Sequence, residues 1–141
     1  MSYSNMDVKS KSKFLKIVSG EPQDVRLLDD EPKEIFEHAN GKLAPIECTE
    51  PMCDSCSAGI EKRQKFVTNV YNHTAKMVQI FKFGASIAKQ IKNIAKTLEE
   101  EGVSIMDKDL KLEASGEGIS KKYTVTPRMT SKPVPEGINL F

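Results

Sequence analysis

The stretch Gln64–Phe83 limits the fold more than any other. Side chains alternate on both sides of the turn Asn72-His73-Thr74. In Gln64–Asn72, Phe66, Thr68 and Val70 fall on one face and Val67, Asn69 and Tyr71 on the other. In Lys76–Phe83, Met77, Gln79, Phe81 and Phe83 oppose Val78, Ile80 and Lys82. A repeat of two residues is the period of a strand. Two such runs joined by a short polar turn predict an antiparallel hairpin.

The flanking segments extend this pattern. Phe14–Val18 and Asp24–Leu28, joined through Ser19-Gly20-Glu21-Pro22, read as a first hairpin. Lys33–His38 is a further strand candidate, and Leu43–Cys48 leads out of the Asn40-Gly41 turn. Ser86–Glu101 is the one clear helix. Its Ile87, Ile91, Ile94, Ala95 and Leu98 form a single apolar stripe. Ser86 suits its N-cap, and Gly102 suits its stop. Leu110–Ala114 and Lys121–Thr126 form a last hairpin around Ser115-Gly116-Glu117-Gly118, ended by Pro127. Residues 1–13 read as a flexible basic arm, with Lys9, Lys11 and Lys13, and 128–141 as an extended tail. The expectation is a mainly β protein. It has one domain over 14–127, a five-stranded Greek-key barrel with a helix between its third and fourth strands.

Charge divides the chain. Glu21–Glu61 carries eleven carboxylates against Arg26, Lys33 and Lys42. From Lys62 through Leu98 no Asp or Glu occurs, while Lys62, Arg63, Lys65, Lys76, Lys82, Lys89, Lys92 and Lys96 do. A cationic half within a near-neutral protein of net charge +1 points to a polyanionic partner; the plainer alternative is lysines decorating a solvated face. The hairpin adds Phe66, Tyr71, Phe81 and Phe83 beside Lys62, Arg63, Lys65, Lys76 and Lys82, and the last strand adds Tyr123 beside Lys121 and Lys122. Rings that stack on bases, interleaved with ammonium groups that neutralise phosphates, are the elements of a single-strand groove. A strand Phe is usually core, so two or three of the four hairpin rings are expected in solvent.

All three cysteines lie within nine residues, at Cys48, Cys53 and Cys56, and His38 stands upstream. One histidine and three thiolates are a set that structural zinc accepts. The spacing His-x9-Cys-x4-Cys-x2-Cys is not a standard finger, and His73 is an alternative fourth ligand. Unligated thiols beside an unrelated histidine are the plainer reading. A redox Cys-x-x-Cys would need a βαβ surround that is missing here. The odd cysteine count and the polar opening segment point to an intracellular, reducing compartment. No apolar run is long enough for a membrane-spanning helix.

In order along the chain, these pieces resemble one family. Phe14-Leu15-Lys16-Ile17 with Val25-Arg26-Leu27-Leu28 is similar to its opening hairpin, and Lys65-Phe66-Val67-Thr68-Asn69-Val70 to a binding strand. Lys82-Phe83-Gly84 precedes the helix as it does in the family. Ser115-Gly116-Glu117-Gly118 and Tyr123-Thr124-Val125-Thr126-Pro127 resemble the closing hairpin. The family is that of the phage helix-destabilising single-stranded DNA-binding proteins, the T-even type and its shorter relatives. The resemblance implies an OB fold with a small zinc subdomain at 38–56, held by His38, Cys48, Cys53 and Cys56. It implies sequence-tolerant coating of single-stranded DNA in replication, recombination and repair, in the cytoplasm of the host cell. Self-association on DNA and recruitment of replication proteins through the tail belong to the same expectation. Lys132–Phe141 departs from it by holding a single acidic side chain, Glu136, where the family carries an acidic tail.

Lys62, Arg63, Lys65, Phe66, Tyr71, Phe81, Lys82, Lys121, Lys122 and Tyr123 are the expected DNA contacts, with RNA as a second ligand. No Gly-rich phosphate loop, Ser/His/Asp set or paired carboxylates occur, so no enzyme is expected. The competing reading is a zinc-stabilised adaptor in a viral replication or transcription complex, docking through Ile138–Phe141.

Overall fold

A computed structural model describes residues 13–40, 43–48 and 62–141. Within them the chain forms seven strands and one long helix. These are β1 (Gln23–Leu27), β2 (Lys33–Asn40), β3 (Leu43–Glu47), β4 (Lys62–Asn72), β5 (Met77–Phe83), α1 (Ala85–Glu100), β6 (Asp109–Ser115) and β7 (Lys122–Pro127). Short 3-10 turns sit at Ile105–Asp107 and Gly118–Ser120. The protein is mainly β, and its strands join in one antiparallel sheet of order β3-β2-β4-β1-β6-β7, with β5 on the other edge of β4.

β4 organises the sheet because it is long enough to serve three partners. Its first half pairs with β2, from Lys33↔Val67 to His38↔Lys62. Its second half pairs with β1, at Leu27↔Val70 through Val25↔Asn72. Its other edge carries β5, from Phe66↔Phe83 to Asn72↔Met77. The predicted hairpin is therefore present with its alternation intact. Its turn is held by Asn72, whose Oδ1 accepts from the backbone N–H of Thr74 and Ala75 at 3.0 and 3.1 Å. Lys76 takes the left-handed φ of +57° that closes it.

Three expectations shift. Phe14 and Val18 make single bridges rather than a strand, because Leu15 turns into the core and the segment runs parallel to β5 at Ile80. The helix begins at Ala85, so Gly84 is its N-cap and Ser86 lies inside it. Gly102 does end it, at φ +74°. The sheet is open: among the described residues no ladder joins β5 to β7.

One face of the curved sheet builds the core. Val25 and Leu27, Val70, Phe81 and Phe83, Leu110 and Leu112, and Val125 all point inward, joined by Leu15 and by Ile87 of α1. Burial of such side chains is worth about 1.5–3 kcal/mol each. The same face encloses a polar link: Asn72 Nδ2 donates to Gln23 Oε1 at 2.7 Å and to Gln79 Oε1 at 2.8 Å.

The other face of β1 and β6 is covered by the segment that follows β7. Arg26 Nη2 donates to the carbonyl of Lys132 at 3.0 Å, and Arg128 Nε donates to Asp24 Oδ1 at 2.9 Å. Further on, the Phe141 N–H donates to Asn69 Oδ1 at 3.0 Å. The tail predicted as merely extended thus crosses the sheet from β6 to β4.

Candidate nucleic-acid interface

The acid-free segment 62–98 folds into three adjoining elements, β4, β5 and α1. Its cations therefore gather in space as well as in sequence. Arg63, Lys89, Lys92 and Lys96 are exposed, Lys65 is half-buried, and none of the five takes part in an ion pair among the described residues.

Two hollows flank the start of α1 and share Phe83 and Ala85. The first, about 360 Å³, is lined by Leu15, Lys65, Lys82, Ser86 and Tyr123 among others. Three expected contacts, Lys65, Lys82 and Tyr123, meet here around a fourth, the buried Phe81. Gly84 lets Lys65 cross the helix start: a Cβ on Gly84 would stand 3.3 Å from the Lys65 ammonium. The second hollow, about 390 Å³, is a groove between α1 and the first half of β4, lined by Gln64, Phe66, Ala88, Ile91, Lys89 and Lys92 among others. Neither hollow is lined by a carboxylate.

Other expected contacts are differently engaged. Lys82 Nζ lies 2.7 Å from Glu37 Oε2, a carboxylate that is itself buried, so its charge is matched within the protein. Lys121 Nζ donates to the carbonyl of Ile17 at 2.9 Å and lies 5.2 Å from the Tyr123 ring. Lys62 stands over the Phe36 ring at 5.3 Å. Lys122 is exposed.

The rings depart furthest from expectation. Tyr71, Phe81 and Phe83 keep only 8%, 2% and 5% of their surface, and Phe66 is half-buried. Phe81 and Phe83 point into the core because β5 lays its odd-numbered side chains on the inner face. Tyr71 points outward, but it packs edge-on to His73 at 5.1 Å, on the face that the 128–141 segment crosses. Tyr71 and Phe81 thus offer no open ring face, whereas Phe66, stacked on the more deeply buried Phe83 at 5.7 Å, is the half-buried ring of the two that line the second hollow. Lys89 and Lys92, read in the sequence only as part of the cationic run, stand on its rim. Their spacing of three, with groove-lining Ala85, Ala88 and Ile91 between turns, was the available signal.

Of the expected metal ligands, Cys53 and Cys56 lie outside the described residues. His38 is fully buried in β2. The Cys48 N–H donates to the Phe36 carbonyl at 2.6 Å and continues the β2–β3 ladder, in which His38 pairs with Ile46. Alternation then puts Cys48 and His38 on one face of the ladder, in diagonal positions. His73 is committed elsewhere, with its Nε2 2.9 Å from Asp109 Oδ1. Among the described residues no three potential ligands come together. No family model matches the chain, and no curated protein matches it.

Proposed function

We propose that the chain binds single-stranded nucleic acid, without base preference, on the surface made by β4, β5 and the start of α1. The observation that carries this reading is the pair of adjoining hollows at Phe83 and Ala85, bordered by Lys65, Lys89 and Lys92 and free of lining carboxylates. Ammonium groups along a groove neutralise a sugar–phosphate chain, and release of its counterions drives binding. A duplex offers no unstacked base to an apolar hollow, so single strands are preferred. The fold suits the reading. We read β1, β4, β5, β6 and β7 as the five strands of an OB barrel that lacks its closing β5–β7 ladder among the described residues, with α1 between the third and the fourth and β2–β3 as an arm inserted after the first.

The test is anisotropy of labelled oligo-dT, titrated at two salt concentrations with duplex as competitor. Binding should weaken with salt, with a slope near ~0.7 per phosphate contact, and duplex should not displace it. No binding at low salt, or a flat salt response, overturns the reading.

The β2–β3 arm is proposed to carry a structural zinc ion. His38 and Cys48 sit on one face of it, and Cys53 and Cys56 follow in the sequence. A neutral imidazole and three thiolates would hold the ion, and their deprotonation couples its binding to folding of the arm. Metal analysis of the purified protein should find about one zinc per chain, and Cys56→Ser should loosen the arm. A metal content far below one per chain overturns the assignment.

A further inference from the structure

β4 outruns β5 and β1 at its start, so the inner face of its first half is not closed over by the core. The β2–β4 register puts Lys62, Gln64 and Phe66 on this face, with Glu34 and Phe36 across from them. The second wall is the flank of α1 that carries Ala85, Ala88 and Ile91. Small side chains at 85 and 88 keep the helix low, so the groove stays open beside the Phe66 and Phe83 rings. These rings lie 5.7 Å apart and only 22° from parallel. Lys89 and Lys92 stand on the rim, and Lys96 continues their row one turn further on. At 1.5 Å per residue the three lysines extend about 10 Å along the helix.

We propose that this groove takes an unpaired nucleobase of a bound single strand, and that Lys89, Lys92 and Lys96 hold the phosphates of the same strand. The inference rests on the single-strand reading above and names the base subsite within it. Charge decides between occupants. The groove floor is apolar and aromatic, yet all three charges on its helix side are positive and lack ion partners among the described residues. A base linked to phosphate matches both features at once, since its flat face covers the rings while its phosphates reach the ammonium groups. The exposed Gln64 amide stands where it can meet a base edge with either a donor or an acceptor, which tolerates any base. Glu34, cross-strand from Phe66, is the neighbouring charge of the wrong sign.

The chain has no Trp, so Phe66→Trp places a single reporter in the groove of the full-length protein. Its emission should be quenched by oligo-dT and much less by an abasic strand of equal length. Lys89→Gln, Lys92→Gln and Lys96→Gln together should lower the salt slope by about 2 and weaken binding roughly 10–100-fold at about 0.1 M salt. Lys108→Gln with Lys111→Gln should change neither, and Glu34→Gln should tighten binding. If wild type binds oligo-dT while the triple variant keeps its slope and the Trp is not quenched, the groove assignment fails and the single-strand reading stands. If wild type does not bind oligo-dT, both fail. A Trp signal that responds to protein concentration but not to DNA assigns the groove to a second copy of the chain and overturns the proposal.

Discussion

Asp109→Ala should destabilise the protein by about 3–5 kcal/mol, read as a lower urea midpoint with little change in slope. The carboxylate is only 2% exposed and accepts three hydrogen bonds. Arg26 Nε donates to Oδ1 at 2.9 Å, His73 Nε2 lies 2.9 Å from the same oxygen, and the Lys132 N–H donates to Oδ2 at 2.7 Å. An ionised carboxylate only accepts, so His73 carries its proton on Nε2. Removing the acceptor strands the Arg26 guanidinium and the His73 imidazole N–H, whose side chains are only 15% and 6% exposed, and unties the Lys132 N–H. It also frees the 128–132 segment, which Asp109 ties down through Lys132, while the Asp109 N–H donates to Ser131 Oγ at 3.1 Å. Amide exchange should therefore rise in β1, β6 and the turn at His73, and much less in α1.

The same site sets a pH dependence. Burial alone would raise the pKa of Asp109, but the bonds from the Lys132 N–H, His73 and Arg26 outweigh it and hold the carboxyl below its ordinary value of 3.8. A folded pKa below the unfolded one means that the unfolded chain takes up the proton first. The contribution of Asp109 is thus fully present above the ordinary aspartate value and is lost as pH falls through the lowered one. Acid titration of stability should show a fall in this window that Asp109→Asn lacks. A variant with the same acid profile as wild type would contradict the assignment.

Local pattern was enough to find the β4–β5 hairpin, α1 and the β6–β7 pair, because each is fixed by neighbours in the chain. The period of two in Phe66–Val70 and the three- and four-residue steps from Ile87 to Leu98 survive whatever surrounds them. What the pattern could not supply is which face of a strand meets the core. Tyr71 and Phe81 lie on opposite faces of the hairpin, and the sequence offers no sign that both faces are covered. The outer one is covered by the chain after Pro127, whose partners Arg26 and Asn69 are 106 and 72 residues away from their contacts. Ion pairing was hidden for the same reason. Lys82 sits in an acid-free run, yet its partner Glu37 is 45 residues earlier, in the acidic half. The charge asymmetry of the sequence is real, but part of it is spent joining the two halves. Gly84 as helix cap was likewise invisible, since Ser86 is the better capping residue and the helix starts two residues earlier than it marks.

Phe81→Ala should cost about 3–5 kcal/mol in stability while leaving single-strand affinity of the folded protein unchanged. Phe81 is the largest fully buried side chain of the described residues, at 2% exposure, and it packs on Phe83 with ring centres 4.8 Å apart. Truncation removes apolar surface from the centre of the β4–β5–α1 packing and leaves a cavity that β5, held in register by its ladder to β4 from Phe66↔Phe83 to Asn72↔Met77, closes poorly. Phe66 is the opposite case. It is half-buried on the same strand pair, so Phe66→Ala should cost less in the same urea titration and should weaken oligo-dT binding. The two variants differ by one position of burial on a shared sheet. Measured together below the unfolding transition, they separate a ring that builds the protein from a ring that meets the strand. A Phe81→Ala protein that stays fully stable, or that loses DNA affinity while folded, would return Phe81 to the binding face and reverse the orientation argued for β5.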